Sequence, residues 1–289
     1  MSATSTTAPG ARPLQAGRRV PLAWTGVLPF LGYVGVFLLL PTGIVLWDAI
    51  KSTTGNSLRL SNLSLLGNST VRTFFVNTVE LAAITAIAGA VLGAVLAYAV
   101  ASGSPDGVVR KIYLSASGVL AQFGGVTLAF AFLITIGPTS GVLLRAGWFY
   151  DFPQGIALIY TYFQIPLMVL VFLPAIDGLK VQWREACENL GGSAWQYWRH
   201  VGGPLLAPAF LGSMLLLFAN ALSAYATIVA WENQIAYVLP QQIALSITSE
   251  VGLASTNEAQ ILALGLIVVV VLIMTGYALL QRRTARWLR

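Results

Sequence analysis

Glu185-Ala186-Cys187-Glu188-Asn189-Leu190-Gly191-Gly192-Ser193-Ala194-Trp195-Gln196-Tyr197-Trp198-Arg199-His200-Val201-Gly202-Gly203-Pro204 lies between two apolar runs, 154–175 and 205–229. Each run has the roughly 20 apolar residues that a helix needs to cross a bilayer core. The segment between them reads as two short helices. Residues 183–190 hold helix formers with an acidic first turn, and Gly191-Gly192 ends them as a C-cap does. Ser193 is placed to cap a second short helix carrying Trp195, Tyr197 and Trp198. Gly202-Gly203-Pro204 predicts a stop before the next span. Such a segment has two uses: a lever that a partner pushes, or an interfacial helix whose tryptophans rest at the headgroup level. On composition alone the second is favoured.

Outward from this loop the chain is strongly apolar. Of its 289 residues, 57% are hydrophobic and 9% charged, with mean hydropathy +0.78; a soluble domain carries about a quarter charged residues. Six stretches are predicted to span a membrane: 27–47, 75–101, 115–136, 154–175, 205–229 and 260–280. Pro166 is expected to kink the fourth or to free a carbonyl within it. No small-residue cleavage site follows 27–47, which is therefore read as a retained helix and not a signal peptide. Residues 1–23, rich in Ser, Thr, Pro and Ala, read as a disordered cytoplasmic tail. The expected organisation is that tail followed by one transmembrane domain, 24–289.

Charge placement orients the spans. With the amino terminus inside, twelve of the sixteen Lys and Arg residues fall in inner segments, and only Lys51, Arg59, Arg72 and Arg145 lie outside. This is the positive-inside asymmetry. It puts both termini in the cytoplasm and accounts for a pI near 9.7 without nucleic acid. Gly89 and Gly93 form a GxxxG in the second span, for which close packing inside one subunit is expected and contact with a partner subunit is the alternative. The single cysteine, Cys187, excludes an internal disulfide. Neither it nor the only histidine, His200, has partners at metal-ligand or nucleophile spacing.

Spacing lifts the loop above its composition. It resembles the EAA loop of ABC importer permeases: Glu-Ala-Ala, three residues, Gly, then an apolar-x-Leu-Pro ending at a fixed distance. Glu185, Ala186, Gly191, Val201 and Pro204 fall on those positions, while Cys187 replaces the second alanine and Gly203 the usual leucine. The loop, 176–204, also has two spans still to follow, where that family places it. Over 74–289 the span spacing is similar to the common core of type I importer permeases. Residues 218–227 are similar to the fifth-helix region of the spermidine/putrescine subgroup, which includes relatives for thiamine, ferric iron and aminoalkylphosphonates.

The resemblance implies an all-α type I ABC importer permease fold, with six transmembrane helices and a cytoplasmic coupling helix, in a bacterial inner membrane. It implies that Glu185, Ala186, Cys187, Leu190, Gly191 and Pro204 lie at the interface with an ATPase. Two ABC ATPase subunits, a second permease forming a heterodimer, and an extracytoplasmic solute-binding protein are the implied partners. Gln241-Gln242, in the last outer loop, is the segment expected to meet the binding protein. The chain has no G-x-x-x-x-G-K-[ST] phosphate loop. No catalysis and no cofactor are therefore expected on it; ATP and Mg belong to the partner ATPase.

Polar residues inside spans are candidates for a solute path, because burying them in lipid is costly. They are Asn77 and Glu80 in the second span, Gln122 and Thr127 in the third, Tyr160, Tyr162 and Gln164 in the fourth, and Asn220, Ser223 and Tyr225 in the fifth. Glu80, the only acid within a span, suits an amine-bearing solute; a structural pair or snorkelling to the headgroups is equally open. Tyr160 and Tyr162 read as readily as an interfacial aromatic belt. The solute expected from the resemblance is a polyamine or related amine, with thiamine, ferric iron or a sugar as alternatives. Two other classes compete: an intramembrane enzyme, which needs paired catalytic residues where Glu80 stands alone, and an ATP-independent channel or secondary transporter, which usually carries an internal helix repeat that is not evident.

Overall fold

A computed structural model describes residues 23–50, 67–104, 106–137, 141–143, 147–231, 237–248 and 253–285. Among these, every regular element is helical: α1 (Ala23–Val34), α2 (Leu40–Ile50), α3 (Ser69–Ala101), α4 (Val108–Gln122), α5 (Gly125–Ile136), α6 (Gln154–Asp177), α7 (Val181–Asn189), α8 (Ala194–Tyr197), α9 (Gly203–Ser223), α10 (Tyr225–Trp231), α11 (Leu239–Thr248) and α12 (Leu253–Ala285). The chain divides into two compact units, Met1–Trp47 and Asp48–Arg289. Five helical stretches are long and apolar enough to cross a membrane, and a sixth span arises if α4 and α5 are taken together. This is a multi-pass membrane protein. The tail expected over 1–23 lies outside the described residues, except for Ala23 at the start of α1.

In the first unit, Val27–Trp47 is an apolar stretch of 21 residues that passes through a π-helical turn at Gly35–Leu39. In the second unit, α3, α6 and α9 pack on one another and form its centre. Their buried side chains make two clusters along the bundle. One holds Ala86, Ala90, Met168, Val169, Leu173 and Leu206, towards the end where α7 and α8 emerge. The other holds Leu81, Leu128, Phe149, Ile159, Ile228 and Trp231, towards the opposite end.

Small residues bring α3 and α6 together. A Cβ on Gly89 would lie 2.7 Å from Gln164 Cβ, and one on Gly93 would lie 2.4 Å from Met168 Cβ and 2.8 Å from the Ile165 carbonyl. The GxxxG therefore serves packing inside one subunit. Close approach also lets Gln164 Nε2 donate to Thr85 Oγ1 across the seam at 3.1 Å. α6 runs unbroken through Pro166 and Pro174.

Two predicted spans are not single helices. The stretch expected over 115–136 is α4 and α5, bent by 98° at Phe123-Gly124. The one expected over 205–229 ends at Ser223, and α10 starts afresh at Tyr225. The stop expected at Gly202-Gly203-Pro204 does not occur. α8 continues through a π-helical turn, Trp198–Gly202, into α9, giving one apolar helix of 30 residues, Ala194–Ser223. Pro204 follows directly on the π-helical turn, whose wider pairing, Gly203 N–H to the Trp198 carbonyl, carries the helix past the missing N–H. The segment expected to be the last outer loop contains a helix, α11, and Gln241 is buried within it, its Oε1 accepting from the Tyr237 amide at 3.1 Å. Gln241 is thus turned into the fold, while Gln242 is half-buried.

Gly93→Ala should destabilise the protein by about 1–3 kcal/mol, because its methyl meets α6 backbone and the Met168 stem. Gly118→Ala, where nothing lies within 4 Å of the added carbon, should stay within about 0.5 kcal/mol of the parent. Thermal unfolding in detergent micelles compares the two.

Candidate functional site

Two regions stand out: the paired helix breaks at one end of the bundle and the loop helices at the other. At the first break, Gly125 has φ +69, which an L side chain adopts only with strain. Phe123 N–H turns back to the Val119 carbonyl at 2.9 Å and Gly124 N–H to the Gln122 carbonyl at 2.9 Å, closing the end of α4. At the second break, Ala224 leaves helical geometry with ψ 84. Its N–H reaches the Ala221 carbonyl at 3.3 Å, and Ser223 Oγ donates to the Asn220 carbonyl at 3.0 Å. The Tyr160 hydroxyl, from α6, donates to the Ala224 carbonyl. In hydrocarbon such carbonyls would have no water to turn to and would need partners inside the protein.

The two breaks lie together. α5 packs along α10, and a carbon added to Gly125 would sit 3.6 Å from Ala226 Cβ. Around them Gln122, Thr127, Ser223 and Tyr225 are exposed on the unit's surface and Asn220 is half-buried. All five are uncharged amide or hydroxyl side chains, able to donate and accept.

Three other predicted path residues are engaged elsewhere. Tyr160 and Gln164 are 1% and 0% exposed, so neither lines an open path; Tyr160 braces the second break and Gln164 fills the α3–α6 seam. Asn77 Nδ2 donates to the Tyr237 carbonyl at 3.0 Å and, with Thr78 Oγ1 accepting from the Leu239 amide at 2.9 Å, pins the start of α11. Glu80 is exposed on the stripe of α3 that carries Ile84, Ile87, Val91 and Val95, opposite the buried face. It makes no ion pair with another described residue. Tyr162 is 39% exposed, edge-to-face with Phe132 at 5.5 Å.

The loop helices are fixed by their caps. Gly191 has φ +75, its N–H bonds the Glu188 carbonyl at 2.9 Å, and the Gly192 N–H bonds the Cys187 carbonyl at 2.8 Å. This is a complete Schellman closure of α7. A carbon on Gly192 would lie 2.5 Å from Cys187 Sγ, so the glycine makes room for the cysteine. Ser193 and Gln196 form a capping box at α8: Ser193 Oγ accepts from the Gln196 amide at 3.3 Å and Gln196 Oε1 from the Ser193 amide at 2.7 Å. His200 Nδ1 meets the Gln196 carbonyl at 3.0 Å, a structural role. Glu185, Ala186, Gly191 and Pro204 are exposed and Cys187 is half-buried. Leu190 and Trp195 stand 88% and 72% exposed. Glu188 accepts from Arg184 Nε at 2.9 Å and holds that guanidinium still more firmly protonated.

At its base the loop is tied to the bundle. Trp198 meets Tyr98 of α3 edge-to-face at 5.3 Å, and Arg110 of α4 pairs with Asp177 at the end of α6. Among the described residues no cluster of His, Cys, Asp or Glu is arranged to hold a metal.

No protein-family model matches the chain. It is 25% identical over 215 residues to the trehalose transport system permease protein SugB of Mycobacterium tuberculosis, covering 72% of each chain. It is 25% identical over 276 residues to a probable molybdenum ABC transporter permease protein of Haloferax volcanii, covering 92% of this chain and 95% of that one. A shorter stretch, 87 residues or 28% of this chain and 31% of the relative, is 29% identical to the sulfate transport system permease protein CysT of Escherichia coli. Among solved structures, a bacterial alginate ABC transporter in complex with a periplasmic protein superposes with TM-score 0.69 at 17% identity, over 91% of this chain and 94% of that one. The MetNI methionine ABC transporter superposes with TM-score 0.54 at 14% identity, over 75% and 99%. The fold is that of ABC importer permeases, and the sequence relatives are permease proteins of transport systems.

Tyr160→Phe removes the hydroxyl that donates to the half-buried Ala224 carbonyl and should cost about 0.5–1.5 kcal/mol, with faster hydrogen exchange confined to amides near 224–231. Gly191→Ala forces a side chain into the left-handed region at about 1–2 kcal/mol and should raise exchange at 189–193 instead. Exchange mass spectrometry on both variants separates the two regions.

Proposed function

We propose that this chain is the permease subunit of an ATP-driven ABC importer, with a coupling loop that receives the movement of a separate ATPase. One observation carries the reading: the helix Ala194–Ser223 runs without a stop from the capped loop to the second break. At 1.5 Å per residue it is a rod of about 45 Å, so displacement of α8 is transmitted to Ser223 and the polar residues beside it. Exposed Leu190 and Trp195 at the loop suit burial by a partner, since isolated apolar surface of this kind gains by docking. Glu185 is exposed and makes no ion pair with another described residue, which suits it to accept a charge-assisted bond from that partner.

On this reading ATP and Mg are bound by two ATPase subunits, a second permease completes the path, and a binding protein delivers solute from outside. The loop end faces the cytoplasm of a bacterial inner membrane, in keeping with the distribution of Lys and Arg. Gln122, Thr127, Asn220, Ser223 and Tyr225 are the residues assigned to the path.

We infer a sugar or sulfate-like solute. The side chains around the breaks are uncharged hydrogen-bonding groups, which match hydroxyls or oxyanions, whereas a polycation needs carboxylates. Glu80 stands on the far face of α3. The relatives named above serve trehalose, sulfate and molybdenum. The polyamine expected from the sequence has no counterpart among them.

The test is reconstitution of the chain with its ATPase, second permease and binding protein in proteoliposomes. Solute should stimulate ATP hydrolysis and uptake, and Glu185→Ala combined with Gly191→Val should abolish the stimulation while the subunits still fold. Transport that proceeds without ATPase subunits, or coupling untouched by the loop double variant, contradicts the proposal.

A further inference from the structure

Two cavities meet at the end of the bundle that carries α7 and α8. One is an apolar groove of about 490 Å³ between α3, α6 and α9, walled by Val95, Phe172, Leu206, Ala207 and Phe210. The other, about 360 Å³, is walled by Arg110, Asp177, Lys180 and Arg184. Tyr98, Ile176 and Trp198 belong to both walls, so the two form one cleft with an apolar arm and a charged arm.

The charged arm carries surplus positive charge. Arg110 is paired with Asp177 and Arg184 with Glu188. Lys180 makes no ion pair with another described residue; its ammonium lies 5.9 Å from the centroid of the Trp183 ring. Three cations thus face two carboxylates. Each guanidinium presents five N–H donors, more than one carboxylate uses. The aromatic pair at the junction, Tyr98 and Trp198, is of the type that sits where hydrocarbon gives way to headgroups. The apolar arm is open, with Val95 65% and Tyr98 44% exposed.

We propose that this cleft binds one anionic phospholipid, with its phosphate on Lys180 and the two guanidiniums and an acyl chain along the groove. A single molecule in a bilayer carries both chemistries in this order. A free anion leaves the apolar arm empty, and a zwitterionic lipid brings a cation to the basic arm. Each Lys or Arg near a membrane surface favours anionic lipid by about fivefold. Lys180 is the N-cap of α7, so the lipid fastens the base of the loop to α3, α6 and α9.

The test uses the full chain with its partner subunits, purified in maltoside detergent and followed by native mass spectrometry. The probes are dioleoyl-phosphatidylglycerol, dioleoyl-phosphatidylcholine and inorganic phosphate. Expected is retention of one phosphatidylglycerol at least about fivefold over phosphatidylcholine, loss of that preference in Lys180→Gln, and loss of both lipids in Ala207→Trp, which fills the groove. Lys180 is exposed, so its variant tests the charged arm even where Ala207→Trp fails to fold. Equal retention of the two lipids, or a preference unchanged by Lys180→Gln, overturns the proposal. Displacement of phosphatidylglycerol by inorganic phosphate also overturns it and marks a free-anion site. Failure of the assembled complex to hold lipid means that a partner subunit covers the cleft, and it overturns the proposal as well.

Discussion

A membrane helix can be interrupted only where its released backbone groups find partners inside the protein, and this fold depends on meeting that demand twice in one place. In hydrocarbon an unpaired carbonyl costs several kcal/mol. The break at Ala224 is supported because Tyr160 donates to its carbonyl and Ser223 turns its hydroxyl onto the Asn220 carbonyl. The break at Phe123-Gly124 is supported by its own tight closure and by Gly125, which takes a backbone conformation that strains other residues. Packing α5 along α10 places the two interruptions side by side. Irregular backbone within membrane helices is characteristically found beside a cavity or pathway, which is why the uncharged polar residues around it carry the functional reading.

The opposite end of the unit solves a different problem: holding a short exposed segment in one shape. α7 has nine residues, too few to be a stable helix alone, and α8 is the first turn of a longer helix. Caps compensate. The Schellman closure at Gly191, the Ser193–Gln196 box and the Trp198–Tyr98 contact leave little freedom between α7 and the bundle. Because α8 then runs into α9 through a π turn, the loop and the second break are two ends of one helix. A stop at Pro204 would have uncoupled them.

Much of this was legible in the sequence, and the exceptions have physical causes. Hydropathy located all six apolar stretches, and residue type located both loop caps, since Gly191 and Ser193 are each suited to one local geometry. The break in 115–136 had a visible signal, the Gly124-Gly125 pair inside an apolar run. The break at Ala224 had none: Ser223, Ala224 and Tyr225 all enter helices readily, and the interruption is supported by Tyr160, sixty-four positions away in the chain. Tyr160 and Gln164 were misplaced for a related reason. Helical spacing fixes which residues share a face but not which face meets a neighbour: Gln164 is enclosed by the approach of α3 at Gly89, and Tyr160 lies in the buried cluster with Leu81, Ala82 and Leu222.

The central claim is that the loop and the paired breaks move together under nucleotide. Cys187 is the only cysteine, so Cys187→Ala gives a clean background for Ser223→Cys and Gln122→Cys. The most direct measurement is labelling of these two positions by a membrane-impermeant maleimide added from one side, in proteoliposomes that contain the ATPase and second permease. Expected is that labelling from the loop side is strong without nucleotide and is lost when ATP holds the ATPases closed, with the opposite pattern from the far side. Labelling at both positions that is the same with and without ATP would contradict the claim.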